Sequence, residues 1–356
     1  MKKIMTLALM AFLGFSVKAQ DQTDLFLDSV MQAQHIPGIA VAVIREGEII
    51  KKQTYGLANL EWNIPLRESS PFQLASVTKI YTGMLLGKMH QEGLLSLDDP
   101  MGSYLDSIPD SWKGITIRQL AAHQSGIRMI SLESYQDLGS AMKAAVEAGL
   151  EYEPGSREFY VSTDYAFLNQ IIQNITGMPF QEAMDKHLLK PLGLTQTGFD
   201  NLSDGGLFRS ANLIKERVAV YGWDTDHHFI SDMRFPIWFY PAGGIYSSIS
   251  DMAKAMQALD SGVFIRKEIQ DMVFGPNPLK DGKQSNFGLG WITEEYQGFK
   301  MTGHSGGPAL ADLIRFPDLK ISIIVLTNRR GGFYPFLSRG VARFYIEGLV
   351  MPEIPD

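Results

Sequence analysis

The sequence predicts an α+β sandwich. A mainly antiparallel sheet is assembled from both ends of the chain and flanked by terminal helices, with a mainly helical lobe inserted between the two sheet segments. Three observations lead there. Apolar, β-branched runs separated by turn residues occupy residues 39–55. Similar runs return after residue 290. Between them, from about Ser76 to Gln257, helical spacing and loops dominate. Strands near both termini form one sheet most simply when the middle is an insertion. The implied division is a leader of residues 1–19 and a single domain of 20–356, with a sheet lobe of about 20–75 and 258–356 and a helical lobe of about 76–257.

Each element has its own local signal. Lys2 and Lys3 precede an apolar run from Ile4 to Phe15, then Ser16-Val17-Lys18-Ala19. Basic start, apolar core and small final residue describe a secretory leader, with cleavage expected near Ala19. The run is too short to remain as a comfortable bilayer span. A periplasmic or secreted product without a stable membrane anchor is therefore expected. Asp24–Gln34 carries helical spacing in Leu25, Phe26, Leu27, Val30 and Met31, and stops before Pro37-Gly38. Ile39–Ile44, a turn at Arg45-Glu46-Gly47-Glu48 and Ile49–Tyr55 form a β-hairpin. Asn59–Pro65 reads as further extended chain. From Ser76 to about Gly93 the pattern is helical. Late strands are expected at Gly290–Thr293, Phe299–Thr302, Ala311–Phe316 and Ile321–Thr327, and a closing helix at Phe333–Leu349.

Composition narrows the chemistry. The 356 residues contain no cysteine, which removes disulfides, thiol nucleophiles and a lipid-modified cysteine anchor. A chain of this length can be stable through its core alone. Loss of Lys2, Lys3 and Lys18 with the leader takes the formal net charge from −7 to −10. An acidic balance without basic clusters argues against nucleic acid as a partner.

The stretch that carries chemistry is Ser76-Val77-Thr78-Lys79. A serine and a lysine three apart at the start of a helix share one face. An amine within reach of a hydroxyl is the minimum for an activated serine nucleophile. The spelling alone does not decide the matter, because Ser140-Ala141-Met142-Lys143 repeats it. That copy opens a run rich in Ala and Glu and reads as an N-cap serine starting an amphipathic helix, with Lys143 on the solvated side. Ser76 stands instead where sheet passes into the helical lobe, at the crevice such a junction leaves.

Acyl transfer also needs a proton carrier and oxyanion donors. Tyr160-Val161-Ser162 follows Glu153-Pro154-Gly155 in a loop before a helix at Tyr165–Ile175. A tyrosine hydroxyl beside a cation can carry protons, and Lys79 supplies the cation; a packing tyrosine is the plainer alternative. Gly303-His304-Ser305-Gly306-Gly307 follows an apolar strand and spells G-x-S-x-G. It is not a nucleophile elbow: no histidine follows Ser305 to complete that triad, and strand rather than helix comes next. Phe235, Trp238, Phe239 and Tyr240 read as core of the helical lobe, with an apolar wall for an acyl or alcohol group as the alternative. Asp224, Asp226, His227 and His228 read as an exposed loop; no third ligand lies at a usual spacing, and neither a metal nor another cofactor is needed.

Taken together, these segments resemble the serine β-lactamases and penicillin-binding proteins, in particular the branch of class C β-lactamases, D-alanyl-D-alanine carboxypeptidases and related esterases. The likeness spans nearly the whole mature chain. It is carried by Ile36–Val43, Phe72–Lys79, Leu94–Pro100, Ile117–Gly126, Pro241-Ala242-Gly243-Gly244 and Gly303–Gly307. It implies a β-lactamase/transpeptidase-like fold with Ser76 as nucleophile, Lys79 as its activator and Tyr160 as proton shuttle. Backbone N–H groups of Ser76 and Gly307 would form the oxyanion hole, and Ser162, His304, Ser305 and Gly306 would contact substrate. Two positions depart from the family pattern. Ser162 stands where the second motif usually has an asparagine, and His304 where the third often has a lysine. Both changes weaken the fit to a penicillin and leave acyl chemistry intact. The expected activity is hydrolysis of an ester, a D-amino-acid peptide or a β-lactam through acyl-Ser76, with a lean to esterase or peptidase. A class C β-lactamase and a non-turnover penicillin sensor are the alternatives. The expected partner is a small-molecule or peptidoglycan-like acyl substrate.

Overall fold

A computed structural model describes residues 21–351, except 133–136, 202, 206–207, 232 and 332–336. The expected leader and the start of the expected closing helix lie outside the described residues.

Seven strands form the main sheet: β1 (Gly38–Arg45), β2 (Glu48–Asn59), β3 (Ile64–Pro65), β4 (Ile292–Tyr296), β5 (Phe299–Gly306), β6 (Ala311–Phe316) and β7 (Ile321–Thr327). Their order is β4-β5-β6-β7-β1-β2-β3, antiparallel throughout. The two ends of the chain meet where β1 pairs β7, from Ile39 opposite Thr327 to Arg45 opposite Ile321. The expected sheet of both termini is thus the observed one.

β1 is buried from Gly38 to Ile44, which explains its unbroken apolar run. Its alternate residues serve two cores. Ala40, Ala42 and Ile44 join the large core toward the helical lobe. Ile39, Val41 and Val43 join a smaller core beneath the terminal helices. Each fully buried aliphatic side chain contributes roughly 1.5–3 kcal/mol. The terminal layer is helix α1 (Gln22–Ala33), which contributes Leu27, and a helix at Leu337–Ala342, which contributes Leu337 and Val341. The closing helix ends at Ala342, before the Leu349 that its apolar pattern implied. Past Ala342 the chain turns, with Phe344 N–H donating to Val341 O and Tyr345 N–H to Ala342 O, three residues back.

Helix α2 (Thr78–Gln91) runs between the sheet and the rest of the helical lobe, buried on nearly every side. It follows a single 3₁₀ turn at Ala75–Val77. Helix α3 (Asp164–Thr176) packs in the same core through Phe167, Leu168, Ile171 and Ile172.

Three expectations change here. The boundary near residue 257 falls inside helix α4 (Ile249–Ser261), whose Met252, Met256 and Leu259 share a core with Ala40 and Ala42 of the sheet. Short β elements also lie in and beside the helical lobe: Phe72–Gln73 and Thr197–Gly198 flank Tyr246–Ser247, and Tyr221–Asp224 pairs His227–Ile230. Strands of two to four residues are too short for an alternating pattern to show. Of Asn59–Pro65, only Asn59, the last residue of β2, and Ile64–Pro65 are extended, and residues 60–63 between them form a turn.

Candidate active site

Ser76 is presented by a sharp change of direction. Strand Phe72–Gln73 ends, Leu74 N–H donates to Ile245 O (2.9 Å), and Ala75 takes φ +45° as the 3₁₀ turn begins. That left-handed conformation costs an alanine about 1 kcal/mol or more. It leaves Ser76 as the one residue of 71–80 that is not buried. The first N–H groups of a helical segment lack intrahelical acceptors, so the amide of Ser76 stands free of the helix ladder.

Lys79 lies one turn on and is fully buried. Its Nζ donates to Ala242 O (2.9 Å) and reaches Ser76 Oγ at 3.4 Å. The rings of Tyr160, Tyr165 and Phe239 surround it, with centroids 4.9, 5.2 and 5.7 Å away. Burial pushes its pKa below the ordinary lysine value, against an opposing pull from Tyr160. The amine is thereby biased toward the neutral form that can accept a proton.

The segment that supplies Ala242 is tied to α2 by threonines. Thr82 Oγ1 donates to Pro241 O (2.7 Å), and Ile245 N–H donates to Thr78 Oγ1 (3.1 Å). Thr78 and Thr82 are four apart, so one helix face carries both ties. On the opposite side Gly290, at φ +73°, lies against the backbone of α2: a Cβ there would come within 2.2 Å of Lys79 O. The bare glycine lets that loop seal the lysine from beneath.

Tyr160 completes the constellation, its hydroxyl donating to Ser76 Oγ at 2.9 Å. Eighty-four residues separate the two in sequence.

The third motif lies on β5. Its close approach depends on Gly306, where a Cβ would sit 2.1 Å from Leu74 O, just before the nucleophile turn. β4 covers β5 only up to Gly303, which pairs Ile292. From His304 to Gly306 only β6 pairs this strand. Thr293 N–H points away from β5, to Asn286 O, so Ile292 and its partner Gly303 exchange the ladder bonds. Two residues on, the N–H and C=O of Ser305 therefore face the unpaired edge.

His304 is 6% exposed, with its ring centroid 5.7 Å from that of Tyr160. Its Nδ1 lies 2.7 Å from Ser305 O. Burial, helped by the nearby Lys79 charge, pushes its pKa down to about 3. The imidazole is neutral at physiological pH.

Ser305 departs from expectation. Neighbouring residues of a strand face opposite sides. With His304 toward Tyr160, Ser305 is turned to the terminal-helix layer, where Oγ donates to Asp312 Oδ1 (2.8 Å). Asp312 also accepts from Ser338 N–H (3.2 Å) and its hydroxyl, and burial pushes its pKa up to about 6. Ser305 thus offers substrate its backbone, while its side chain braces the sheet. Ser162 is buried before α3, its carbonyl accepting Tyr165 N–H (3.1 Å).

The aromatic run is core, as its plainer reading held. Trp238 is fully buried, and Tyr240 donates to Asp200 Oδ1 (2.7 Å). Phe239 meets the site, its ring centroid 5.7 Å from Lys79 Nζ. Asp224, Asp226, His227 and His228 sit on the small hairpin Tyr221–Ile230 rather than a loop, with His228 Nε2 2.8 Å from His35 O. The structure thus gathers Ser76, Lys79, Tyr160 and His304. It adds Ala242, whose role is a backbone carbonyl that no side-chain reading can detect.

A buried lysine and a tyrosine hydroxyl converging on one serine, at the junction of an antiparallel sheet and a helical lobe, define a serine hydrolase. Comparison with known sequences agrees. The sequence model described as Beta-lactamase matches residues 23–344, and the chain belongs to that family. Among curated relatives, a "Putative D-alanyl-D-alanine carboxypeptidase" of Escherichia coli (strain K12) is 25% identical, over 89% of this chain and 83% of its own. "Protein flp" of Staphylococcus aureus (strain MRSA252) is 27% identical over 66% of this chain, which spans only 47% of that relative. Two solved structures share the fold. The octameric penicillin-binding protein homologue from Pyrococcus abyssi superposes with a TM-score of 0.77 at 24% identity, covering 91% of this chain and 76% of its own. The D-amino acid amidase from Ochrobactrum anthropi SV3 does so with 0.74 at 21% identity, covering 90% and 95%.

Proposed function

We propose that the protein hydrolyses carboxylic acyl compounds through an acyl-Ser76 intermediate, acting on esters or D-amino-acid peptides in preference to β-lactams, outside the cytoplasm. The observation that carries this is the convergence on Ser76 Oγ of Tyr160 OH at 2.9 Å and of a buried, pKa-lowered Lys79 at 3.4 Å.

The steps balance with these groups alone. Neutral Lys79 takes the proton of Ser76 as Oγ attacks the acyl carbon. The oxyanion is held by the N–H groups of Ser76 and Gly307. The Gly306 carbonyl turns inward to accept Leu310 N–H (2.9 Å), so the Gly307 N–H of the same planar peptide points the other way, toward the unpaired edge. The intermediate collapses as Tyr160 gives its proton to the leaving alcohol or amine and regains one from Lys79. Water then attacks the acyl carbon, its proton passes through Tyr160 and Lys79 to Ser76 Oγ as the Oγ–acyl bond breaks, and the acid departs.

The preference rests on the two departures from the family pattern. His304 is held neutral and offers no fixed charge to a substrate carboxylate. Ser162 has no amide to bond a substrate amide. The names of the carboxypeptidase relative and the amidase neighbour support D-amino-acid peptides or amides as a substrate class. The leader-like residues 1–19 support export.

A fluorophosphonate probe should add one label to the Ser76 peptide by mass spectrometry, and Ser76→Ala should remove it. A panel of p-nitrophenyl esters, D-Ala-D-Ala peptides and nitrocefin should show turnover with nitrocefin the poorest. Absence of any adduct in folded protein would end the catalytic reading. Acylation without release would favour a penicillin sensor.

A further inference from the structure

We infer that His123 is a positioning residue for Tyr160: it is the template on which the loop of residues 159–161 is held, so that the tyrosine hydroxyl meets Ser76. The inference rests on the acyl-Ser76 reading and adds a residue to its machinery.

Three contacts fix the loop to this one residue. The carbonyl of His123 accepts the N–H of Phe159 at 2.9 Å. Its Nδ1 lies 3.0 Å from the carbonyl oxygen and 3.2 Å from the amide nitrogen of Val161. Either tautomer therefore has a partner on Val161: a protonated Nδ1 donates to the carbonyl, a bare Nδ1 accepts from the amide. Between these anchors the imidazole packs against the Tyr160 ring, centroids 4.6 Å apart. Residues before and after Tyr160 are thus referred to one residue, Phe159 through its backbone and Val161 and the Tyr160 ring through its imidazole.

His123 is an expensive way to fill this space. It is fully buried, and its backbone sits at φ +58°, a conformation uncommon for residues other than glycine. Its Nε2 is buried without a hydrogen-bond partner among the described residues. An unsatisfied buried polar atom costs about 1–3 kcal/mol. Asp164 does not repair this: its Oδ2 faces the other ring nitrogen, 3.7 Å from Nδ1, and has no hydrogen-bond partner of its own among the described residues. A core position chosen only for stability would carry an apolar ring. A residue that breaks several local rules at once is expected where a site demands it. Here the demand is an aromatic plane carrying a polar atom on the side facing Val161.

The imidazole is kept neutral by burial, reinforced by the charge of Lys79 and by His304. It therefore holds Tyr160 without adding a second charge beside Lys79.

The test is a mutant cycle with the full-length mature protein. His123→Phe keeps the ring and removes the nitrogen. His123→Asn keeps an acceptor and tolerates the positive φ but removes the ring. Each is made alone and with Tyr160→Phe, and kcat and KM are measured with a p-nitrophenyl ester, with circular dichroism to check folding. Misplacement of a catalytic group by about 1 Å can cost 10²-fold. Each single variant should therefore lose roughly 10- to 100-fold in kcat, with KM within about twofold, by that same principle. In the Tyr160→Phe background the His123 change should cost nothing further. If the losses multiply in the double mutant, or if a folded His123→Phe keeps full kcat, His123 does not act through Tyr160. That outcome leaves acyl-Ser76 chemistry standing. Failure of the wild-type protein to label at Ser76 would bring down both. A variant that does not fold leaves the other to decide.

Discussion

Ser76–Lys79 and Ser140–Lys143 have the same S-x-x-K spelling and opposite fates. In the first, the lysine is fully buried between a carbonyl, a hydroxyl and three aromatic rings. In the second, Lys143 is 79% exposed and lies 3.9 Å from Glu147, a loose surface pair. Ser76 Oγ receives a tyrosine hydroxyl. Ser140 instead donates to Asp137 Oδ2 at 2.6 Å, and its N–H donates to Asp137 Oδ1. The second copy is the ordinary helix start that its sequence suggested, with one change: the N-cap is Asp137, and Ser140 is three residues inside. Spacing places a serine and a lysine on one face. Desolvation is what makes that pair a nucleophile and a base.

The contrast can be broken most sharply at the serines. Ser76→Ala should lower ester turnover by about 10⁴-fold or more, while Ser140→Ala should leave kcat/KM within twofold by steady-state kinetics. Equal effects would mean the two copies had been misassigned.

The lysines come next. Arginine cannot give up its proton, so Lys79→Arg should cost about 10²- to 10⁴-fold even with the charge retained. Lys143→Arg should be silent. In the wild type, burial lowers the pKa of Lys79, and the neutral amine appears at lower pH. The pH profile of kcat/KM should therefore climb with rising pH along a limb centred below the ordinary lysine value near 10.5. A limb centred on that value would show that Lys79 is not desolvated.

The buried histidines sharpen the same contrast through stability. His304 titrates at about 3 in the folded protein, against 6.5 ordinarily. Between those values the unfolded chain binds a proton that the folded chain refuses, so stability falls as pH drops through that window. The slope is at most about 1.4 kcal/mol per pH unit for each such histidine. His123 acts in the same direction. Asp312, raised to about 6, acts oppositely between roughly its ordinary 3.8 and that value. Comparing melting temperatures of wild type and His304→Gln from pH 7.5 to 4 isolates the histidine. The variant should lose less stability in acid, and parallel curves would refute its burial as a neutral group.

The smallest effect belongs to the second copy. Asp137→Ala should cost about 1 kcal/mol of stability through the lost cap, with no change in kcat. A change in activity would connect that helix to the site.

Much of the sheet was legible because its strands are long enough to carry a pattern. β1 and β7 read as nearly continuous apolar runs since both faces are buried. Elements of two to four residues carry no such pattern, and the strands at Phe72–Gln73 and Tyr246–Ser247 form only because each finds the other. The boundary near 257 failed for a related reason. Helix α4 has one apolar face whether it belongs to the lobe or covers the sheet, and only packing on Ala40 and Ala42 decides.

At the site, residue types with chemistry were visible and their directions were not. Ser305 looked like a substrate contact beside His304, yet strand alternation turns its hydroxyl onto Asp312. Ala242 acts through a carbonyl, and Ala75 through a backbone angle. Neither leaves a mark on residue identity.

By itself the amino-acid sequence determined the antiparallel sheet, the helix behind Ser76 and the presence of a serine, a lysine and a tyrosine able to transfer an acyl group. Those follow from local spacing and from which atoms each side chain carries. Only the tertiary structure decided that Tyr160, eighty-four residues away, reaches Ser76 at 2.9 Å, and that Lys79 rather than Lys143 loses its water. Proton affinity depends on the medium around a group, and that medium is built from segments distant in the chain.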